Sequence, residues 1–387
     1  MNIRTTKKPD TRIAHKYLGN LGIKAYDADN LYPQNIRNIV ASSPTGSTCL
    51  GRYAMFIEGN GFNSQELSDT EVNRAGDTVD DILRLVCGDM ASYGGFALHV
   101  NYNILGEIVE LNHVPFEDCR LEEEDDNGFV SHIITHPDWQ GKKTRKGKVL
   151  KVSKETLQHY VVFNPVTEVV QAQIEKSGGI EYYKGQILWV SNGGKTNYPV
   201  CKYDGVVTEM STDEGLANIK YRNVRNNFLP AGMLITRKGQ SENFDGTEDY
   251  DNSEFAEGFK NFQGDMNACK MINVEIEMNE EKPEFVPFPT NNFDKSFNVT
   301  DESVVERIYA AFNQEAFYCI RSGKIGFSGT LLADAYADYA GQVTKEQRAI
   351  SRAIKRVFDN WKDPLLTGLS SEFFKIEPLK YGGNTNA

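Results

Sequence analysis

His132 and His136 stand four residues apart, a spacing that on one helix face lets two imidazoles reach a single metal ion. The segment Ser131-His132-Ile133-Ile134-Thr135-His136-Pro137 instead reads as a strand, and no third ligand stands nearby in sequence. His99 and His113 fall on two strands expected to be neighbours, and read as sheet residues rather than as an acid–base pair. Gly59-Asn60-Gly61 and Gly193-Gly194-Lys195 lack the strand-to-helix setting of a phosphate cradle, and GxxxxGK[ST], GxSxG and HExxH are all absent. Carboxylates are plentiful, but no spacing singles out a catalytic pair. The residue types therefore offer no positive argument for catalysis, and none for a metal or a cofactor.

What the chain does offer is charge, unevenly placed. Arg321-Ser322-Gly323-Lys324-Ile325-Gly326-Phe327-Ser328-Gly329-Thr330 sets two cations among three glycines, the composition of a mobile loop carried by rigid arms. Glu122 to Asp126 are five consecutive acids, and Lys142, Lys143, Arg145, Lys146 and Lys148 put five bases in seven positions. Each run reads as a solvated tip, and the two runs are suited to meeting across a subunit interface. Between Gln240 and Glu257 stand seven acids and no base, so that loop (Glu242, Asp245, Glu248, Asp249, Asp251) must face water or a basic partner. Over 387 residues the net charge is −12, which argues against a protein that grips nucleic acid through a strong basic surface.

The rest of the composition is that of a globular chain, 40% hydrophobic and 25% charged, long enough for two or three domains. Cys49, Cys87, Cys119, Cys201, Cys269 and Cys319 are scattered with no CxxC pair, which reads as reduced thiols made in a cytoplasm. No secretory signal is expected from MNIRTTKKPD, and no apolar run approaches membrane-spanning length.

The elements follow from periodicity. Residues 1–30 read as an N-terminal arm. Pro33 and Ser43-Pro44 each start a helix, the second ending at Gly59 and Gly61. A third helix fits Asp77 to Met90, capped at Asp77 or Thr78. A hairpin follows, with Phe96 to Tyr102 and Glu107 to Val114 joined at Asn103 to Gly106. Further strands are expected at Phe129 to Thr135, Leu157 to Phe163, Val169 to Ile174 and Gln186 to Val190. From Asp213 to about Asn227 runs a helix that is polar nearly all round, as in a helix that bridges domains or packs in an assembly. Residues 233–293 form a small α/β unit, with strands at Met233 to Thr236, Met271 to Glu277 and Glu284 to Phe288 and a helix at Ser253 to Met266. Thr300 caps a helix over Asp301 to Phe317. A long helix runs from about Leu331 to Trp361, its stripe of Leu332, Tyr336, Tyr339, Val343, Ile350, Ile354, Val357 and Trp361 unbroken apart from a bend at Gly341.

That order of elements resembles the portal proteins of tailed bacteriophages, of the compact siphophage type. Met90-Ala91-Ser92-Tyr93-Gly94-Gly95-Phe96-Ala97-Leu98, followed by Gly106-Glu107-Ile108-Val109-Glu110-Leu111-Asn112-His113-Val114-Pro115, is similar to the portal wing pattern. Glu214 to Leu234, with Asn227-Phe228-Leu229-Pro230-Ala231-Gly232, looks like a first stem helix and its exit into the clip. Phe255 to Ile276 is similar to the clip helix and strand, and Asp301 to Phe312 to the second stem helix. The chain departs from many relatives in lacking Ser-Pro at Ser211-Thr212-Asp213-Glu214 and a proline near Asn313-Gln314-Glu315.

The resemblance implies an α+β portal-type fold: arm 1–30, β-rich wing 31–210, first stem helix 211–231, clip 232–293, second stem helix 294–318, tunnel loop and long tunnel helix 319–362, and a short crown 363–387. It implies a homo-oligomeric ring, expected to be a dodecamer, at one capsid vertex of a virion assembled in the host cytoplasm. Double-stranded DNA would pass through it, and the terminase large subunit, the major capsid protein and a head–tail adaptor would contact it, with no membrane and no cofactor. Arg321 to Ser328 would line the channel, Glu242 to Asp251 would face a partner, and Lys220, Arg222, Arg225, Glu302, Glu306 and Arg307 would stand on the stem. Such a ring needs no enzyme chemistry, and its acidic bulk would keep DNA from sticking. Another virion ring or head–tail adaptor sharing only the α/β wing, or a cytosolic enzyme, are the other readings the residues leave open.

Overall fold

Both proline-led start signals produce helices in the computed structural model, which describes residues 16–143, 149–150, 152–193, 197–225, 232–237, 271–276, 285–287, 293–325 and 329–382. Helix α1 (Tyr32–Ser42) carries Pro33 in its first turn. Helix α2 (Pro44–Glu58) is capped by Ser43, whose hydroxyl accepts from the Gly46 N–H at 2.9 Å, and it ends at Gly59 with φ +61°. A short α3 (Gln65–Ser68) precedes α4 (Val79–Tyr93). Thr78 and Asp81 form a reciprocal capping box at the start of α4, and Gly94, left-handed at φ +76°, closes its other end.

The strands of the body are β1 (Tyr17–Leu18), β2 (Ile23–Lys24), β3 (Gly95–Tyr102), β4 (Ile108–Val114), β5 (Cys119–Glu122), β6 (His132–Thr135), a small separate hairpin β7 (Lys142–Lys143) with β8 (Val149–Leu150), then β9 (Gln158–Val162) and β10 (Gln186–Ser191). Eight of them form one sheet in the order β1-β2-β5-β6-β9-β10-β3-β4. Only the β9–β10 pairing in it is parallel. Alternation along β6 shows the two faces. Ile133 joins the main core with α2 and α4, whereas Ile134 belongs to a second cluster with Leu21, Ile23, Trp139 and Leu157.

Several expectations are corrected here. Val169 to Ile174 lies in helix α5 (Thr167–Lys176), not a strand. The adjacent Val169 and Val170 suggest β structure, but the buried residues are Val170 and Ile174, four apart, a helical interval. The arm reading ends earlier than residue 30. Beyond residue 16 the chain joins the sheet edge, and Tyr26 is fully buried, its ring stacked 4.0 Å from that of Tyr198 and its hydroxyl donating to the Pro199 carbonyl. Strand β5 was not expected, because Arg120 and Glu122 break its apolar pattern. Of the acidic run, Glu122, the last residue of β5, lies 2.7 Å from His132 and Glu124 lies 2.7 Å from Lys24, while Glu123, Asp125 and Asp126 are exposed. Arg145, Lys146 and Lys148 of the basic run lie outside the described residues.

Arg120 is itself fully buried, and carbonyl and amide oxygens alone take up its hydrogen bonds. Its Nε donates to Asn30 Oδ1 at 2.7 Å, one terminal nitrogen to the carbonyls of Glu117 and Cys119, and the other to the Asn30 carbonyl and Gln34 Oε1. It ties β5 to the segment leading into α1.

The polar helix is α6 (Val207–Arg225), six residues earlier in its start than Asp213. Asp213 is buried instead, accepting from the Ser43 hydroxyl at 2.6 Å and the Thr45 N–H at 3.0 Å, and so locks α6 onto the start of α2. A three-stranded sheet follows, β11 (Gly232–Arg237) pairing parallel with β12 (Met271–Ile276) and antiparallel with β13 (Phe285–Pro287). The helix expected at Ser253 to Met266 lies outside the described residues.

The two late helices are each broken. Helix α7 (Phe293–Ala311) contains Thr300 rather than being capped by it, and stops short of Phe317. Asn313, left-handed at φ +55°, turns the chain into α8 (Glu315–Arg321). The long helix is two, α9 (Gly329–Gln342) and α10 (Thr344–Phe358), parted at Val343. Thr344 contributes to the break, its hydroxyl bonding back to the Gly341 carbonyl at 2.8 Å. The apolar stripe survives because Tyr339, Val343, Ile350, Ile354 and Val357 remain buried in one core. Trp361 lies past α10 and bridges to Ile108 of β4. Among the described residues no helix is long and apolar enough to cross a membrane.

Candidate functional site

The glycine loop follows α8, which an elbow joins to α7. Gln314 holds that elbow: fully buried, it donates to the Cys49 carbonyl of α2 and to the Tyr339 hydroxyl of α9, each at 2.9 Å, and accepts from Arg52 at 3.0 Å. The Tyr339 hydroxyl in turn donates to the Phe312 carbonyl at 3.0 Å. Four helices are thus pinned where the backbone turns. Arg52 lies 4.7 Å from the centroid of the Phe317 ring, adding a cation–π contact.

Arg321 is the last residue of α8, not part of the loop, and donates to the Tyr309 hydroxyl at 3.0 Å. Ser322 bonds back to the Cys319 carbonyl, and Gly323 takes φ +70°, the left-handed stop that a glycine supplies without strain. Lys324 then folds back: its ammonium lies 3.5 Å from Glu306 of α7 and 4.8 Å from the centroid of the Tyr318 ring. Both members of the ion pair are about half-exposed (51% and 56%), so salt screens it and a competing phosphate can take the lysine. Ile325 is exposed. Gly326, Phe327 and Ser328 lie outside the described residues.

The residues expected on a stem are brought together in part. Helices α6 and α7 run antiparallel, with Lys220 2.8 Å from Asp301 and Arg307 3.4 Å from Glu209. Glu302 and Arg225 are exposed, Arg222 is half-buried, and Glu306 serves Lys324 instead of α6. Glu242, Asp245, Glu248, Asp249 and Asp251 lie outside the described residues.

The histidines have structural partners. His113 lies 2.7 Å from Asp89, His132 2.7 Å from Glu122, and His99 bonds to the Lys184 carbonyl. Among the described residues no group of three His, Cys, Asp or Glu side chains is placed to hold a metal.

The contacts around Arg321 to Lys324, through Tyr309, Gln314, Tyr318 and Arg52, are not expected from the sequence. The one available signal was Asn313-Gln314, two polar residues interrupting an apolar period.

No protein-family model matches the chain, and no curated protein matches it. Among solved structures, it is similar to a chain in the virion of a native gene transfer agent particle, at 13% identity over 84% of this chain and 80% of that one, with a TM-score of 0.45. It is similar to a chain in the neck of the native particle computed with C12 symmetry, at 14% identity, the same coverage and a TM-score of 0.45. It is also similar to an HK97 family phage portal protein from Corynebacterium diphtheriae, at 11% identity over 85% of this chain and 93% of that one, with a TM-score of 0.41.

Proposed function

We propose that the chain is the subunit of a phage portal, a ring at one capsid vertex through which DNA is packaged and later ejected. The observation that carries this reading is the antiparallel α6–α7 pair, clipped by Lys220–Asp301 and Arg307–Glu209, with the three-stranded sheet between the two helices in sequence. A helix pair of that kind suits a stem: one leg leads from the wing to a clip, and the other returns to a loop. In this reading the eight-stranded sheet and α1 to α5 are the wing, β11 to β13 belong to the clip that meets terminase and later the head–tail adaptor, and the chain from Arg321 to Ile325 stands at the channel. The wing would face the major capsid protein. Lys324, held by an easily broken surface pair, touches the DNA backbone without trapping it. The role asks for no catalytic group.

Negative-stain microscopy of the purified full chain tests it. Rings with an open central channel are expected. A compact monomer contradicts the reading, and a ring that binds an existing portal rather than terminase reassigns the chain to an adaptor.

A further inference from the structure

The outward face of α10 carries a row of cations. Lys345, Arg348, Arg352 and Arg356 follow one another at steps of three and four, so at about 100° per residue they fall within about 80° of the helix circumference. Gln347, Ile350, Ala353, Ile354, Val357 and Phe358 bury the opposite side. All four cations are exposed, and at about 1.5 Å per residue Lys345 and Arg356 stand about 16 Å apart along the axis.

Acids outnumber bases in the chain, 54 to 42, yet none comes to this row. Elsewhere Lys24 pairs with Glu124, Arg37 with Glu117 and Arg84 with Glu58, and beside the row Lys355 pairs with Asp359. Among the described residues no carboxylate pairs with Lys345, Arg348, Arg352 or Arg356. Arg356 lies over the Phe163 ring at 5.3 Å, a contact that leaves its charge without a counterion. The row also works against its own helix. Like charges three and four apart repel, and Lys345 stands in the first turn, where the helix dipole disfavours a cation. Local rules broken without a compensating contact are the signature of a functional face.

The kind of partner follows from what lies between the cations. A protein interface has an apolar core, and no large hydrophobic residue of α10 is exposed. The row is instead a line of charge, and three of its four members are guanidinium forks that match phosphate geometry. Duplex DNA offers one charge per about 1.7 Å of axis, so about ten phosphates lie along about 16 Å. We propose that the outer face of α10 binds the phosphate backbone of duplex DNA without reading its sequence. A single row on an acidic chain makes a weak, salt-sensitive contact. Neither a ring nor a channel enters this inference, and the face lies on another helix than the loop bearing Lys324.

Filter binding of the full chain to covalently closed circular duplex DNA, which cannot thread a closed ring, tests it. With four phosphate contacts per bound chain, log affinity is expected to fall against log salt with a slope of about −3.6, a loss of about 150-fold between about 50 and about 200 mM. Arg348→Gln with Arg352→Gln, at exposed positions where glutamine keeps helix propensity, is expected to halve that slope and cut the loss to about 12-fold. Circular dichroism of the double variant is expected to match wild type. Arg74→Gln with Lys375→Gln removes the same charge from exposed residues elsewhere and is expected to leave the slope unchanged. No binding at about 50 mM salt, or a slope that the α10 variant does not change, overturns the proposal. So does an equal effect of the two double variants, which would make the binding a matter of net charge. Binding of poly-glutamate but not of the duplex overturns it too, and assigns the row to an acidic protein surface.

Discussion

Replacing Gln314 by Met separates the elbow's hydrogen bonds from its packing. The two side chains are similar in volume, so little cavity is created. The substitution removes two donated bonds, to the Cys49 carbonyl and the Tyr339 hydroxyl, and one accepted from the Arg52 guanidinium. Neutral bonds contribute about 0.5–1.5 kcal/mol each and bonds to a charged group about 1.5–3, and Tyr339 keeps its bond to Phe312, so the expected loss is about 2–4 kcal/mol. Urea unfolding followed by tryptophan fluorescence measures it, at a concentration where wild type and variant have the same hydrodynamic size. A loss below about 1 kcal/mol would refute the claim that Gln314 pins the elbow.

Arg120→Met leaves buried oxygens of Asn30, Gln34, Glu117 and Cys119 without their donor, at about 1–3 kcal/mol for each one left unsatisfied, so a loss of at least about 2 kcal/mol is expected in the same unfolding assay; a neutral result contradicts the buried role of the guanidinium. Asp118 has its pKa raised to about 6, by burial first and the neighbouring Glu117 next, against the pull of Arg120 and Arg37. Its protonated form suits the fold, so its contribution is fully present below about pH 4 and lost as pH rises through 6. Asp118→Asn should therefore gain stability over wild type between pH 4.5 and 7.5, and a difference that stays flat with pH contradicts this. Lys324→Glu sets a like charge beside Glu306 and repels phosphate, so DNA packaged per capsid is expected to fall; unchanged packaging and ejection sink a role for that charge.

Where one local rule acted alone, the sequence was readable. Ser43-Pro44 produced the helix start it encodes, Thr78 rather than Asp77 is the cap of α4, and Asn103 to Gly106 produced the hairpin. Reading failed where tertiary contacts decide. Strand β5 exists because Arg120 finds oxygen partners from a segment 90 residues away in sequence, which no alternation pattern encodes. Val169-Val170 has strand-like residues in a helix whose burial interval is four. The long apolar stripe from Leu332 was real as a buried face, but a buried face does not require one continuous helix, and Val343 breaks it without loss of core. The loop's composition was plain, whereas the pairing of Lys324 with Glu306 depends on where α7 passes and was out of reach.

The claim that the loop after α8 meets DNA is tested most directly by placing a photo-cross-linking amino acid at position 324 and irradiating DNA-filled particles. The account predicts that protein becomes joined to DNA from that position and not from Tyr182, an exposed residue of the body. Cross-linking from position 182 but not from 324 would contradict it.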